Sequence, residues 1–109
     1  MPVRLNLERI LGDTKPHTIR FFTDEARTAA MSLSGLTFDA HVETTTDTTV
    51  LTFSTITPSG TGSNVLTLTP DSPGSWADLE LGRYRVRIRD VTGGTFGTFA
   101  VGELAVNGS

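Results

Sequence analysis

The chain contains no cysteine, which removes disulfide cross-links, thiolate nucleophiles and zinc–thiolate centres from consideration. Aromatic side chains able to stack on a sugar or a base are scarce, with one tryptophan, Trp76, and one tyrosine, Tyr84. Only two histidines, His17 and His41, are available as general bases, and no serine stands in a G-x-S-x-G elbow. Neither Gly60-Thr61-Gly62 nor Gly93-Gly94-Thr95-Phe96-Gly97 has the spacing of a phosphate-binding loop, and neither opens a helix. A basic excess is also missing: the formal charge of −3 and a pI near 5.2 set the chain apart from general polyanion binders. No apolar run approaches the length of a membrane span, and the opening stretch MPVRLNLERILGDTK carries charges through its apolar positions. A secretory signal is therefore not expected. These absences predict no catalytic residues, no metal, no cofactor, and neither a nucleic acid nor a membrane as partner.

Threonine is abundant instead, with 19 in 109 residues, and its β-branched side chain favours strands. Turn signals recur at short intervals, at Gly12-Asp13, Ser34-Gly35, Pro58-Ser59-Gly60, Pro73-Gly74 and Gly93-Gly94. Short apolar segments between such turns are the pattern of a β-sandwich or barrel. The alternation predicts a single domain over residues 1–109 with about seven strands, at Val3–Leu11, His17–Thr23, Leu36–Thr44, Thr49–Ile56, Asn64–Thr69, Gly82–Arg89 and Thr95–Asn107. One helical turn is expected near Ser75-Trp76-Ala77-Asp78, and residues 24–35 read as a loop anchored by Met31 and Leu33. The first strand begins cleanly with Val3, Leu5 and Leu7 and then shifts phase to Ile10. The last breaks step between Phe99/Val101 and Leu104/Val106, which places a β-bulge at Gly102.

The sixth strand, GRYRVRIRD, turns Tyr84, Val86 and Ile88 inward and sets Arg83, Arg85, Arg87 and Arg89 on the outer face. The third strand is its counterpart: Leu36, Phe38, Ala40 and Val42 face in, while Asp39, His41 and Glu43 face out. Side chains two apart on a strand stand roughly 6.5–7 Å from one another, too far for Asp39, His41 and Glu43 to hold one ion without distortion, so a solvated outer face is expected there. In an immunoglobulin-type order the third and sixth strands are neighbours. Asp39 and Glu43 would then oppose Arg83, Arg85 or Arg87, and a stripe that looks like a nucleic-acid contact becomes a paired face suited to docking another protein. Trp76, on a connector beside Leu79 and Leu81, reads as a plug for one end of the sandwich rather than a stacking platform.

Three further stretches carry a resemblance. Leu11-Gly12-Asp13-Thr14 with Ile19-Arg20-Phe21, then Leu33-Ser34-Gly35-Leu36-Thr37-Phe38, then Leu79-Glu80-Leu81-Gly82-Arg83-Tyr84-Arg85-Val86 stand in this order along most of the chain. That order resembles the immunoglobulin-like N-terminal domain of phage baseplate upper proteins and related small domains of tail and fibre proteins. The resemblance implies an all-β, immunoglobulin-like antiparallel sandwich, with Gly82 and Tyr84 forming a tyrosine corner. It also implies a non-enzymatic structural subunit of a tailed-phage virion, assembled in the bacterial host cytoplasm and not secreted. Such a subunit docks in multiple symmetric copies on other virion proteins of the tail, baseplate, fibre or capsid. In baseplate upper proteins this domain continues into a much longer receptor-proximal chain, whereas here the sequence stops just after the last strand, so a free-standing adaptor or decoration subunit is expected rather than a direct receptor binder. A capsid decoration protein is the alternative within that class, and a carbohydrate-binding module using Trp76 is the alternative outside it.

Overall fold

The computed structural model describes residues 3–22, 29, 31–60, 62–71, 74–94 and 97–108. Within them seven strands follow one another: β1 (Val3–Ile10), β2 (His17–Arg20), β3 (Phe38–Glu43), β4 (Thr49–Ile56), β5 (Val65–Leu68), β6 (Gly82–Asp90) and β7 (Gly97–Asn107). They form a five-stranded sheet in the order β1-β7-β6-β3-β4 and a two-stranded sheet of β2 and β5. The result is an all-β sandwich, with the third and sixth strands adjacent as expected. The expectation of wholly antiparallel pairing is corrected at one edge, because β1 runs parallel to β7. These strands lie at opposite ends of the chain, and the intervening domain supplies the long crossover that a parallel pair requires.

Alternation builds the core. Phe38, Ala40 and Val42 of β3, Val86 and Ile88 of β6, and Ala100, Leu104 and Val106 of β7 are buried in one cluster with Ile19, Leu66 and Leu68 from the small sheet. In β4 an irregular register lies between the Phe38–Ile56 and Ala40–Phe53 pairs. Thr55 there adopts a φ of 53°, a conformation disfavoured for a β-branched residue. The extra residue lets Ile56 face the core beside Leu51 and Phe53. Between β5 and β6 the expected helical turn forms as a short 3-10 turn, Trp76–Asp78. It is capped reciprocally: the Ala77 N–H donates to Ser75 Oγ at 3.2 Å, and the Ser75 N–H donates to Asp78 Oδ2 at 2.9 Å.

Several boundaries and phases differ from the alternation reading. β3 begins at Phe38 rather than Leu36, because the Leu36 N–H is already bonded to Leu33 O and the Thr37 N–H to Thr92 Oγ1. β2 closes at Arg20, β5 is one residue shorter at each end, and β6 runs on to Asp90. The expected strand ends at Thr23 and Thr95, and much of the 24–35 loop, lie outside the described residues. Of that loop's two anchors, Leu33 is buried and Met31 packs partly against the core.

The predicted bulge at Gly102 is corrected as well. The β6–β7 ladder passes through the Val86–Gly102 pair without a shift, and its irregularity falls between Ile88 and Arg89, where Phe99 is the extra residue. Ala100, Gly102, Leu104 and Val106 therefore share the inner face. Val101 lies on the outer one, and the Phe99 ring meets Phe21 and Phe38 at 5.1 and 5.0 Å. Gly102 serves a different purpose, since a Cβ there would lie 1.9 Å from Leu5 O. Only glycine lets β1 approach this closely.

β1 departs most from expectation. Its phase does not shift to Ile10, which is 48% exposed; the inward position after Leu7 belongs to Arg9, which is only 7% exposed. The guanidinium carbon sits 4.4 Å from the centroid of the Trp76 ring, and Nη2 donates to Asp13 O at 3.2 Å and Lys15 O at 2.6 Å. Trp76 is buried and donates Nε1–H to Leu68 O at 3.0 Å. A tryptophan and an arginine thus close one end of the sandwich together, with the connector before β2 tied across them.

Candidate docking face

The outer face of the five-stranded sheet carries the charged residues singled out in the sequence, and the register assigns their neighbours. Arg83, Arg85 and Arg87 are exposed and Arg89 is half-buried, so all four point outward as expected. The opposing partner agrees with expectation for Glu43 and differs for Asp39. β3 and β6 pair Asp39 with Arg89, His41 with Arg87 and Glu43 with Arg85. Asp39 thus meets the last arginine of the strand rather than one of the first three.

That pair is the best formed on the face. Arg89 donates from Nε to Asp39 Oδ1 at 2.9 Å and from Nη2 to Oδ2 at 2.6 Å, a two-pronged geometry that suits the planar guanidinium. Donating these hydrogen bonds to Asp39 pushes the Arg89 pKa further up. Glu43 stands opposite Arg85, but its carboxylate lies 2.9 Å from His41 Nε2 on its own strand. Arg85 instead pairs with Asp47 in the β3–β4 turn, and Arg83 reaches the other way to Glu103 of β7 at 2.9 Å. Asp39, His41 and Glu43 therefore do not converge, and no group of three or more potential metal ligands gathers among the described residues.

The predicted corner is present at the entry to β6. The Tyr84 hydroxyl donates to Glu80 O at 3.1 Å and accepts from the Glu80 N–H at 3.0 Å. The ring packs against the core while Gly82, at a φ of 140°, begins the strand. At the far end of β6, Asp90 accepts from the Thr92 hydroxyl at 2.6 Å and from its N–H at 3.0 Å, which lowers the Asp90 pKa. Thr92 in turn caps the backbone of Thr37, so this corner fastens the start of β3 to the end of β6.

Between the charged rows lies an open concavity of about 480 Å³, where Arg4, Arg85 and Arg87 face Glu43, Asp47 and Glu103. Arg4 belongs to β1, and the alternation reading of the sequence did not single it out. The signal that finds it is the parallel pairing of β1, which sets Arg4 beside Val101. Ile10, Leu11 and Leu81 are exposed at the end of the sheet where β6 begins and β1 stops.

The second polar cluster, at the Arg9 end, is structural in its contacts. His17 Nδ1 lies 3.4 Å from Arg9 Nη1, and the His17 ring is 6.0 Å from that of Trp76. Burial lowers the His17 pKa, and the positive Arg9 lowers it further against a weaker opposing pull from Asp13. Burial likewise lowers the Arg9 pKa, with Asp13 opposing. No helix among the described residues is long and apolar enough to cross a membrane. Comparison of the chain with protein-family models, with curated proteins and with solved structures gives no match.

Proposed function

We propose that this chain is a non-enzymatic structural subunit of a tailed-phage virion, a baseplate or tail adaptor or a tail-fibre attachment module, that acts by docking other virion proteins. The observation that carries the docking reading is the outer face of the large sheet. Three of its arginines, Arg83, Arg85 and Arg89, are held by carboxylates from β7, the β3–β4 turn and β3, an arrangement that keeps much of a polar surface ordered. Such a surface suits contact with another protein, and the exposed Ile10, Leu11 and Leu81 at one end add the apolar component that interfaces carry. The virion setting comes from the sequence resemblance, which also supports docking in several symmetric copies after assembly in the host cytoplasm.

A capsid decoration role uses the same face and remains the alternative within this class. The carbohydrate-binding alternative has less support, because Trp76 is buried under Arg9 and Tyr84 spends its hydroxyl on the Glu80 backbone. Quantitative mass spectrometry of purified particles tests the proposal. The chain is expected in mature virions, at low copy number for a tail or baseplate site and in step with the capsid protein for decoration. Its absence from particles overturns the proposal.

A further inference from the structure

The arginines that the face does not neutralise indicate the chemistry of what docks there. Cross-strand register divides the outer face into rows. One row pairs Asp39 with Arg89; another sets Glu43, Arg85, Glu103 and Asn6 side by side. The row between them reads His41, Arg87, Val101, Arg4 and contains no carboxylate. Arg4 and Arg87 are both exposed, and neither makes an ion pair among the described residues, while Arg83, Arg85 and Arg89 each do.

We propose that Arg4 and Arg87, standing on either side of Val101 at the floor of the concavity, form a carboxylate-binding subsite that takes an acidic segment of a partner protein. The proposal rests on the docking reading above and names the partner's chemistry. Val101 is the common neighbour of both arginines, so their Cα atoms lie about 10 Å apart, two inter-strand spacings. Two flexible guanidiniums at that distance can close on one carboxylate, or each can take one from side chains that alternate along an extended strand. The half-buried Val101 offers an apolar contact between them.

The surrounding charges select against a polyanion. Glu103 and Glu43 lie in the next row, about 7 Å away, and Asp39 lies in the row on the other side. A nucleic-acid backbone carries a phosphate at every nucleotide and would meet carboxylates in both directions. A protein segment places one or two acids on the arginines and neutral groups elsewhere. The basic stripe of β6 is thereby reduced to a single competent arginine, Arg87, completed by Arg4 from a strand at the opposite end of the chain.

Titration of the full-length, nitrogen-15-labelled chain with a capped Gly-Glu-Val-Glu-Gly peptide tests this, read from the arginine Nε–Hε signals. The Arg4 and Arg87 signals are expected to move and saturate. The glutamine counterpart of the peptide should leave them in place, and the double substitution R4Q/R87Q should weaken binding about tenfold or more. The substitution R20Q, on the other sheet, should leave binding unchanged. Equal shifts with the glutamine peptide, an equal loss in R20Q, or tighter binding of oligothymidylate would each overturn the proposal. Self-association of the chain that R4Q/R87Q abolishes would replace the partner by a second copy and overturn it too. Absence of the chain from virions would leave this titration untouched, and failure of the titration would leave docking by the rest of the face standing, so the two proposals fail separately.

Discussion

Replacing Arg9 by methionine isolates what a buried guanidinium contributes to this fold. Methionine keeps a flexible apolar stem against Trp76 and removes the charge, the donors and the ring contact. The favourable side consists of a desolvated cation–π contact at 4.4 Å, worth about 1–2 kcal/mol, and hydrogen bonds to two carbonyls of about 1.5 kcal/mol each. Opposing it are burial of the charge and the unpartnered Nε, a buried donor that costs about 1–3 kcal/mol. These contacts less the unpartnered Nε leave about 1–4 kcal/mol in favour of arginine, which burial of the charge brings down to about 1–2 kcal/mol; in a chain of this size that lowers the melting temperature by about 6 °C. R9A also loses the stem packing, for a total near 3 kcal/mol. Trp76 is the sole tryptophan and sits under the substitution, so urea unfolding followed by its fluorescence reads both stability and local environment. If R9M proves as stable as the parent chain or more so, the desolvation cost exceeds the contacts, and Arg9 is not what holds the 11–16 connector across the sandwich end.

Three other outcomes follow from single contacts. Tyr84→Phe leaves the ring in place and removes both hydrogen bonds to Glu80, so it should cost about 1 kcal/mol in thermal unfolding without changing the circular dichroism spectrum. Gly102→Ala forces a Cβ onto Leu5 O and should cost more than about 3 kcal/mol or detach β1; amide exchange should then rise in β1 and β7 while β3 and β4 stay protected. His17 binds its proton more weakly folded than unfolded, because of burial and Arg9. The unfolded chain therefore takes up that proton first as the pH falls below about 6.5. His17 should make stability fall between pH 7 and pH 5, and H17N should reduce that fall in paired urea titrations; an unchanged pH dependence in H17N would show that His17 contributes nothing to it.

The parts of the fold legible in the sequence are those set by period-two alternation within one strand. The inward Tyr84, Val86 and Ile88, the inward Phe38, Ala40 and Val42, and the outward arginines all follow from local pattern alone. The misplacements came where a long-range partner overrides the local pattern. Ile10 looked like a core residue because arginine rarely goes inward; Arg9 does so because Trp76 and two carbonyls, reached only after the chain folds, satisfy it. The step in β7 was real but lay at Phe99 rather than Gly102. Either position restores the phase of Leu104 and Val106, and the choice is made by Leu5 packing against Gly102 from the far end of the sequence.

The candidate site depends on register still more than the fold does. Parity shows that Asp39 and Glu43 share a face with the arginines, but not which arginine each meets. Antiparallel pairing sets Ala40 opposite Ile88 and Val42 opposite Val86, which brings the apolar side chains of β3 and β6 together in the core but excludes only slips of odd number. A slip of two residues would keep every apolar side chain inward and yet carry Asp39 from Arg89 to Arg87. The free arginine would then lie at the end of the strand, away from Arg4 and outside the concavity. The bidentate Asp39–Arg89 pair and the Thr92 clasp on Thr37 both act against that slip. The charge pairs therefore do more than neutralise the stripe: they hold a register in which Arg87 makes no ion pair among the described residues and stands level with Arg4. Disruption of the Asp39–Arg89 pair should thus impair carboxylate binding at a row that neither residue touches.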